Sequence, residues 1–112
     1  MRADDGAFVA KSADGIHYGE HRPWMFDDGE LLGSYNTQQH WVTLGGRLYL
    51  VYTRRGADND HIFRHRAPLF LAEVDPENLQ VLRATEQVLV PQNQATLGNS
   101  GVCRIIDNES WV

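Results

Sequence analysis

WVTLGGRLYLVYT, Trp41–Thr53, is the stretch from which the fold is read. Two apolar-rich runs flank Gly45-Gly46. Both glycines can take the positive φ of a two-residue primed turn, so the stretch is expected to be an antiparallel β-hairpin. Along its second arm Leu48, Leu50 and Tyr52 alternate with Tyr49, Val51 and Thr53. Both sets are largely apolar, which places that strand in a sheet covered on both faces.

The hairpin runs directly into YTRRGADNDHIFRHRAPLF, Tyr52–Phe70. A connection between strands needs Gly, Asn or Asp for backbone reasons. It does not need Arg54, Arg55, Arg64 and Arg66 together with His61, His65, Asp58, Asp60 and Asn59. Such a loop on a stiff sheet is suited to gripping a ligand that is anionic or rich in hydroxyls.

Working outward, Ala7–Lys11 reads as a short strand, Ser12–Gly15 as a turn and Ile16–Tyr18 as the start of a partner strand. His21–Gly33 is irregular, but Trp24, Met25 and Phe26 are too apolar for a free linker and are expected to pack down. Leu69–Val74 is the next strand, and Asp75-Pro76-Glu77-Asn78 is a turn with proline preset for its second position. Leu79–Arg83 and Glu86–Val90 follow as an extended pair, Pro91–Ser100 as a polar loop and Gly101–Ile106 as a strand. Asp107-Asn108-Glu109 is a turn, after which Ser110-Trp111-Val112 begins another strand. Pro76 and the β-branched content argue against a helix over Asp75–Thr85. The fold class expected is all-β, with an antiparallel four-stranded unit at its centre.

The 112 residues suffice for one small domain. The formal net charge of −5 disfavours bulk nucleic-acid binding, although the basic residues gather between Arg47 and Arg66. No run approaches the roughly 20 apolar residues of a membrane span, and the N-terminus lacks the apolar core of a signal peptide. The chain is therefore expected to be soluble, with neither nucleic acid nor membrane as partner; a leader missing from a fragment remains open. Cys103 has no second cysteine to pair with and is expected as a buried, small apolar side chain rather than a reactive thiol.

The first strand has no earlier partner, and the chain stops at Trp111-Val112 within a strand. One four-stranded sheet flanked by partial sheets is the grammar of a β-propeller, a ring of such blades. Three features carry a resemblance to a family. Ser12-Ala-Asp14-Gly15-Ile-His-Tyr18 is similar to an Asp-box turn, one residue shorter between Asp and Gly. The order of hairpin, polar loop, Ala67-Pro68-Leu69-Phe70, strand, Asp-Pro turn, strand and Gly98-Asn99 loop follows a blade. Asn36-Thr-Gln38-Gln39-His40-Trp41 looks like the mouth of an innermost strand. On these residues the chain resembles the sialidase-like β-propellers with BNR or Asp-box repeats. That resemblance implies a partial propeller: residues 1–33 end one blade, 34–92 form a full blade and 93–112 start the next. The family's Phe/Tyr-Arg-Ile-Pro motif and its tyrosine–glutamate pair are not placed in this sequence.

The resemblance implies part of a glycoside hydrolase that contributes one wall of a sugar-binding funnel. The alternative is a non-catalytic carbohydrate-binding β module that self-associates through open sheet edges. A blade with no site of its own is a third reading. Arg54, Arg55, Arg64 and Arg66 offer bidentate donors to an anionic group. Asp58 and Asp60 are the candidate acid and base, and Asn59, His61 and His65 complete the polar set. Against this stands a surface loop whose aspartates neutralise its arginines. Gln38, Gln39 and His40 beside Trp41 suit sugar hydroxyls and a sugar's apolar face; the rival is a polar loop capped by a core tryptophan. Asn93, Gln94 and Asn99 are expected near the same mouth. His61 and His65, about 13 Å apart in extended chain, are not expected to bind a metal. No cofactor is implied. Asp14 is expected to accept backbone N–H groups across its turn, a structural role.

Overall fold

The computed structural model describes residues 2–4, 6–94 and 97–112. Strands β1 (Arg2–Ala3), β2 (Gly6–Val9) and β3 (Arg22–Pro23) form a small sheet in that order. Strands β4 (His40–Leu44), β5 (Arg47–Tyr52), β6 (Leu69–Glu73) and β7 (Gln87–Val90) form a four-stranded sheet in sequential order. Strands β8 (Cys103–Ile106) and β9 (Glu109–Trp111) form a hairpin. Every pairing within these sheets is antiparallel. The chain is all-β, and among the described residues helix is confined to 3-10 turns at Phe63–His65 and Arg83–Thr85. No helix of the described residues is long and apolar enough to cross a membrane.

The Gly-Gly turn forms as its sequence requires, with φ of +57° at Gly45 and +76° at Gly46. It sets a register in which Leu44 faces Arg47 and Trp41 faces Leu50. Strand β5 is covered on both sides: Leu50, Val51 and Tyr52 are fully buried. Leu50 and Tyr52 join Val9, Trp24, Phe26, Phe70 and Val74 in the larger core, whereas Val51 joins Val42 and Leu69 on the other face. Each such buried side chain contributes about 1.5–3 kcal/mol relative to exposure. Trp24 and Phe26 pack down as expected, and the Trp24 indole N–H donates to the Leu79 carbonyl at 2.7 Å.

Two expected strands shrink to isolated bridges. Leu79–Arg83 pairs only through Val81, which bridges Phe26 in parallel and Val74 in antiparallel fashion. Leu79 takes a positive φ of 55°, and Arg83–Thr85 coils into a 3-10 turn. Both features deflect the chain from an extended ladder. Ile16–Tyr18 is reduced to a bridge from Ser12 to Tyr18. Asp14 Oδ1 accepts the backbone N–H groups of Ile16 and His17 at 2.9 and 2.8 Å, removing the donors that a ladder would use. Ser12 Oγ accepts the Gly15 N–H at 2.8 Å, with Gly15 at φ +76°. The Asp14 carboxyl is held well below its ordinary value, first by the His17 side chain and then by these backbone donors.

Cys103 differs from expectation: it is exposed. Ile105, Ile106 and Trp111 of the same hairpin are exposed as well. Alternation in β8 therefore does not bury the thiol.

Candidate functional site

Antiparallel order brings the start of β4, the end of β5, the start of β6 and the end of β7 to one end of the sheet. His40 faces Val51, Tyr52 faces Phe70 and Leu69 faces Val90. The segments 34–39 and 53–68 and the described residues 91–94 and 97–102 thus cluster there, and with them the residues singled out from the sequence.

The 53–68 loop is held by Asn59, which is 1% exposed. Its Nδ2 donates to the carbonyls of Arg54 (2.9 Å) and Ala67 (2.8 Å), tying the two legs together. The outgoing leg is also tied to the 34–39 segment. Ser34 Oγ donates to the Thr53 carbonyl at 3.0 Å, and Thr53 Oγ1 donates to Thr37 Oγ1 at 2.7 Å. Gly33 lends its carbonyl to the Arg55 N–H at 2.9 Å.

Arg54 anchors the loop to the sheet. Its Nε and Nη2 donate to the two carboxylate oxygens of Glu86 at 2.8 and 2.7 Å, and Nη1 donates to the carbonyls of Arg55 and Gly56. The Tyr52 hydroxyl donates to Glu86 Oε2 at 2.5 Å. The Arg54 and Glu86 side chains are only 16% and 13% exposed. Burial raises the Glu86 carboxyl, but the hydrogen bonds from Arg54 and Tyr52 outweigh it and hold the group below its ordinary value. Burial, reinforced by Glu86, pushes the Tyr52 hydroxyl well above its ordinary range. This network was not read from the sequence. Its one signal was a lone glutamate immediately before an apolar strand. Tyr52 is fully buried, so the tyrosine–glutamate pair braces the interior rather than facing a ligand.

The other charged groups of the loop behave differently. Arg55 stacks on Tyr35 at 4.2 Å and Arg64 on Phe63 at 5.2 Å. Among the described residues Arg55, Arg64 and Arg66 form no ion pair with a carboxylate, and Asp58 has no cationic partner. Asp60 lies 3.7 Å from His65 Nδ1, too long for a hydrogen bond. His65 meets the Tyr35 ring edge-on at 5.6 Å. The aspartates therefore do not neutralise the arginines; the one paired arginine is satisfied from β7's side by Glu86. Asp58, Asp60, His61 and Arg64 are exposed.

A cleft of about 370 Å³ opens at this end of the sheet. Gln38 and Thr37 line it from the β4 side, Arg66 and Leu69 from β6, and Asn99 and Ser100 from the segment after β7. Of the expected binding residues it unites Gln38 and Arg66, with Asn99. Arg54, Arg55, Asp58, Asn59, Asp60, His61, Arg64, His65, Gln39 and His40 are not in its lining. Shielded polar atoms without a hydrogen-bond partner collect nearby: Gln38 Oε1, Gln39 Nε2, His40 Nε2, Asn59 Oδ1 and His65 Nδ1. Such atoms are costly unless something pairs with them. Among the described residues no group of three or more His, Cys, Asp or Glu could hold a metal ion. Among the described residues the lining carries one guanidinium, hydroxyls, amides and apolar wall, and no acidic side chain. It can bind; it does not by itself supply acid–base pairs.

No protein-family model, no curated protein and no solved structure matches the chain.

Proposed function

We propose that this chain is part of a sialidase-like propeller glycoside hydrolase. In this reading the β4–β7 sheet is a blade, and its loop end forms one wall of a sugar-binding funnel. The sequential antiparallel order of four strands and the Asp14 turn support the propeller reading. The observation that carries the functional reading is the cleft, where Arg66 has no carboxylate partner among the described residues and shares the lining with Gln38 and Asn99. A guanidinium with amide and hydroxyl neighbours suits a carboxylated sugar. Asp58 and Asp60 are the acid/base candidates of the assembled enzyme, tested by loss of hydrolysis without loss of binding in D58N or D60N.

Calorimetric titration of the chain with sialyllactose, a glucuronate-containing tetrasaccharide and lactose tests the cleft. Preference for an acidic sugar, weakened about tenfold in R66A, is expected. Equal affinity for lactose that R66A weakens alike, or acidic-sugar binding unaffected in R66A, overturns the reading. Turnover by the isolated chain also counts against it, because no Asp or Glu side chain of the described residues lines the cleft.

A second reading is a non-catalytic carbohydrate-binding β module that self-associates. The edge strand β7 favours it: Val88, Leu89 and Val90 are exposed, and Gln87–Val90 carries no charge. Uncharged edges invite pairing with another strand. A defined oligomer with sugar affinity in size-exclusion chromatography with light scattering selects this reading, and a monomer selects the first.

A further inference from the structure

A second cleft, of about 380 Å³, lies on the face of the sheet that carries Trp24, between the chain following β2 and the indole of Trp41. Its lining includes Tyr18, Trp41, Trp24 and His21, with Val9 and Gly19. Two of its aromatic residues are open to solvent: Tyr18 is 65% exposed and Trp41 44%. Trp24 is buried, its N–H fixed on the Leu79 carbonyl, and its ring lies 4.9 Å from that of Trp41. Trp41 is thus backed by a rigid second indole. Tyr18 is set by the turn: Asp14 and Ser12 fix the backbone, Tyr18 bridges Ser12, and the Gly19 N–H donates to the Lys11 carbonyl at 2.9 Å. His21 is steadied edge-on against Phe8 at 5.6 Å.

We propose that this cleft is a separate binding subsite for an uncharged sugar ring, stacked on Trp41 and Tyr18 and hydrogen-bonded by His21 and the Tyr18 hydroxyl. Rigid, amphipathic rings give contact area at low entropic cost, and their polar tips fix orientation. No charged side chain lines the cleft, which separates its ligand from that of the Arg66 cleft. The size falls in the range of small-molecule sites. A neighbouring groove of about 340 Å³ shares Val9, Ala10 and Gly19 and adds Lys11, Glu20 and Arg22. A glycan chain can therefore continue beyond the stacked ring along a polar floor. The Asp14 turn then has a purpose beyond closure, because it presents Tyr18. The choice of a sugar as ligand rests on the proposed function; the location does not.

The test is titration of the chain with neutral hexasaccharides of glucose, mannose and xylose, read by tryptophan fluorescence and calorimetry. Binding of at least one is expected, weakened about tenfold in Y18A and W41A, retained in W41F and unchanged in R66A. Tyr18 sits on an exposed turn, so Y18A reads the site even where W41A loses stability. Failure of all three sugars to bind, or full affinity in Y18A, overturns the proposal. Retained acidic-sugar binding at Arg66 with no neutral-sugar binding ends this proposal alone. Loss of both ends the sugar reading as a whole.

Discussion

Replacing Arg54 with methionine strands the Glu86 carboxylate in an environment where its side chain is 13% exposed. Two ionic hydrogen bonds, at 2.7 and 2.8 Å, disappear, and only the Tyr52 hydroxyl continues to donate to Glu86. Removing one partner of a buried pair costs about 3–5 kcal/mol, because the remaining charge is uncompensated. That is a large share of the 5–15 kcal/mol typical of a folded domain. Replacing both members with apolar residues of similar volume is often close to neutral. Chemical denaturation should therefore place R54M about 3–5 kcal/mol below the wild type, with R54M/E86L recovering part of the loss, because the buried Tyr52 hydroxyl then lacks its acceptor. A single variant within about 1 kcal/mol of wild type, or a double variant as unstable as R54M, refutes the claim that a desolvated pair anchors the loop.

The same pair makes stability pH-dependent. Glu86 lies below its ordinary value of 4.5 in the fold, so its contribution is fully present above that value. It is lost as pH falls through the lowered one. The wild-type advantage over E86Q in denaturation should shrink as pH drops from about 7 to about 3, and an advantage independent of pH contradicts the assignment. N59A removes both ties across the 53–68 loop, at about 0.5–1.5 kcal/mol each. Limited proteolysis should then cut between Arg55 and Arg64 at lower protease concentrations than in wild type. L50A opens a cavity beneath the fully buried centre of β5 and should cost about 2–5 kcal/mol by denaturation midpoint.

The hairpin was legible because Gly45-Gly46 and alternation between Leu48 and Thr53 are local signals that agree with each other. The covered faces of β5 followed from the same residues. The Asp14 turn was legible for the same reason, since its acceptors and donors lie within a few positions. Leu79–Arg83 was not, because Val81 pairs with Phe26 across 55 positions and the sequence carries no mark of that bridge. The Arg54–Glu86 pair lies 32 positions apart, so the loop's charges looked self-contained when one of them is satisfied from outside. Cys103 shows the limit of alternation: the pattern gives the face, and only the tertiary neighbours decide whether that face is covered. Sequence reasoning picked out residues that the fold gathers at one end of the sheet. It could not separate Gln38 and Arg66, which share a cleft, from Asp58 and Asp60, which are exposed outside it.

The central claim is that the loop end of the four-stranded sheet grips a sugar. Amide chemical-shift mapping of the labelled chain during titration with an acidic oligosaccharide tests it most directly. Saturable shifts concentrated at Thr37, Gln38, Arg66 and Asn99 are expected. No saturable shift, or shifts confined to the β8–β9 hairpin, contradicts it.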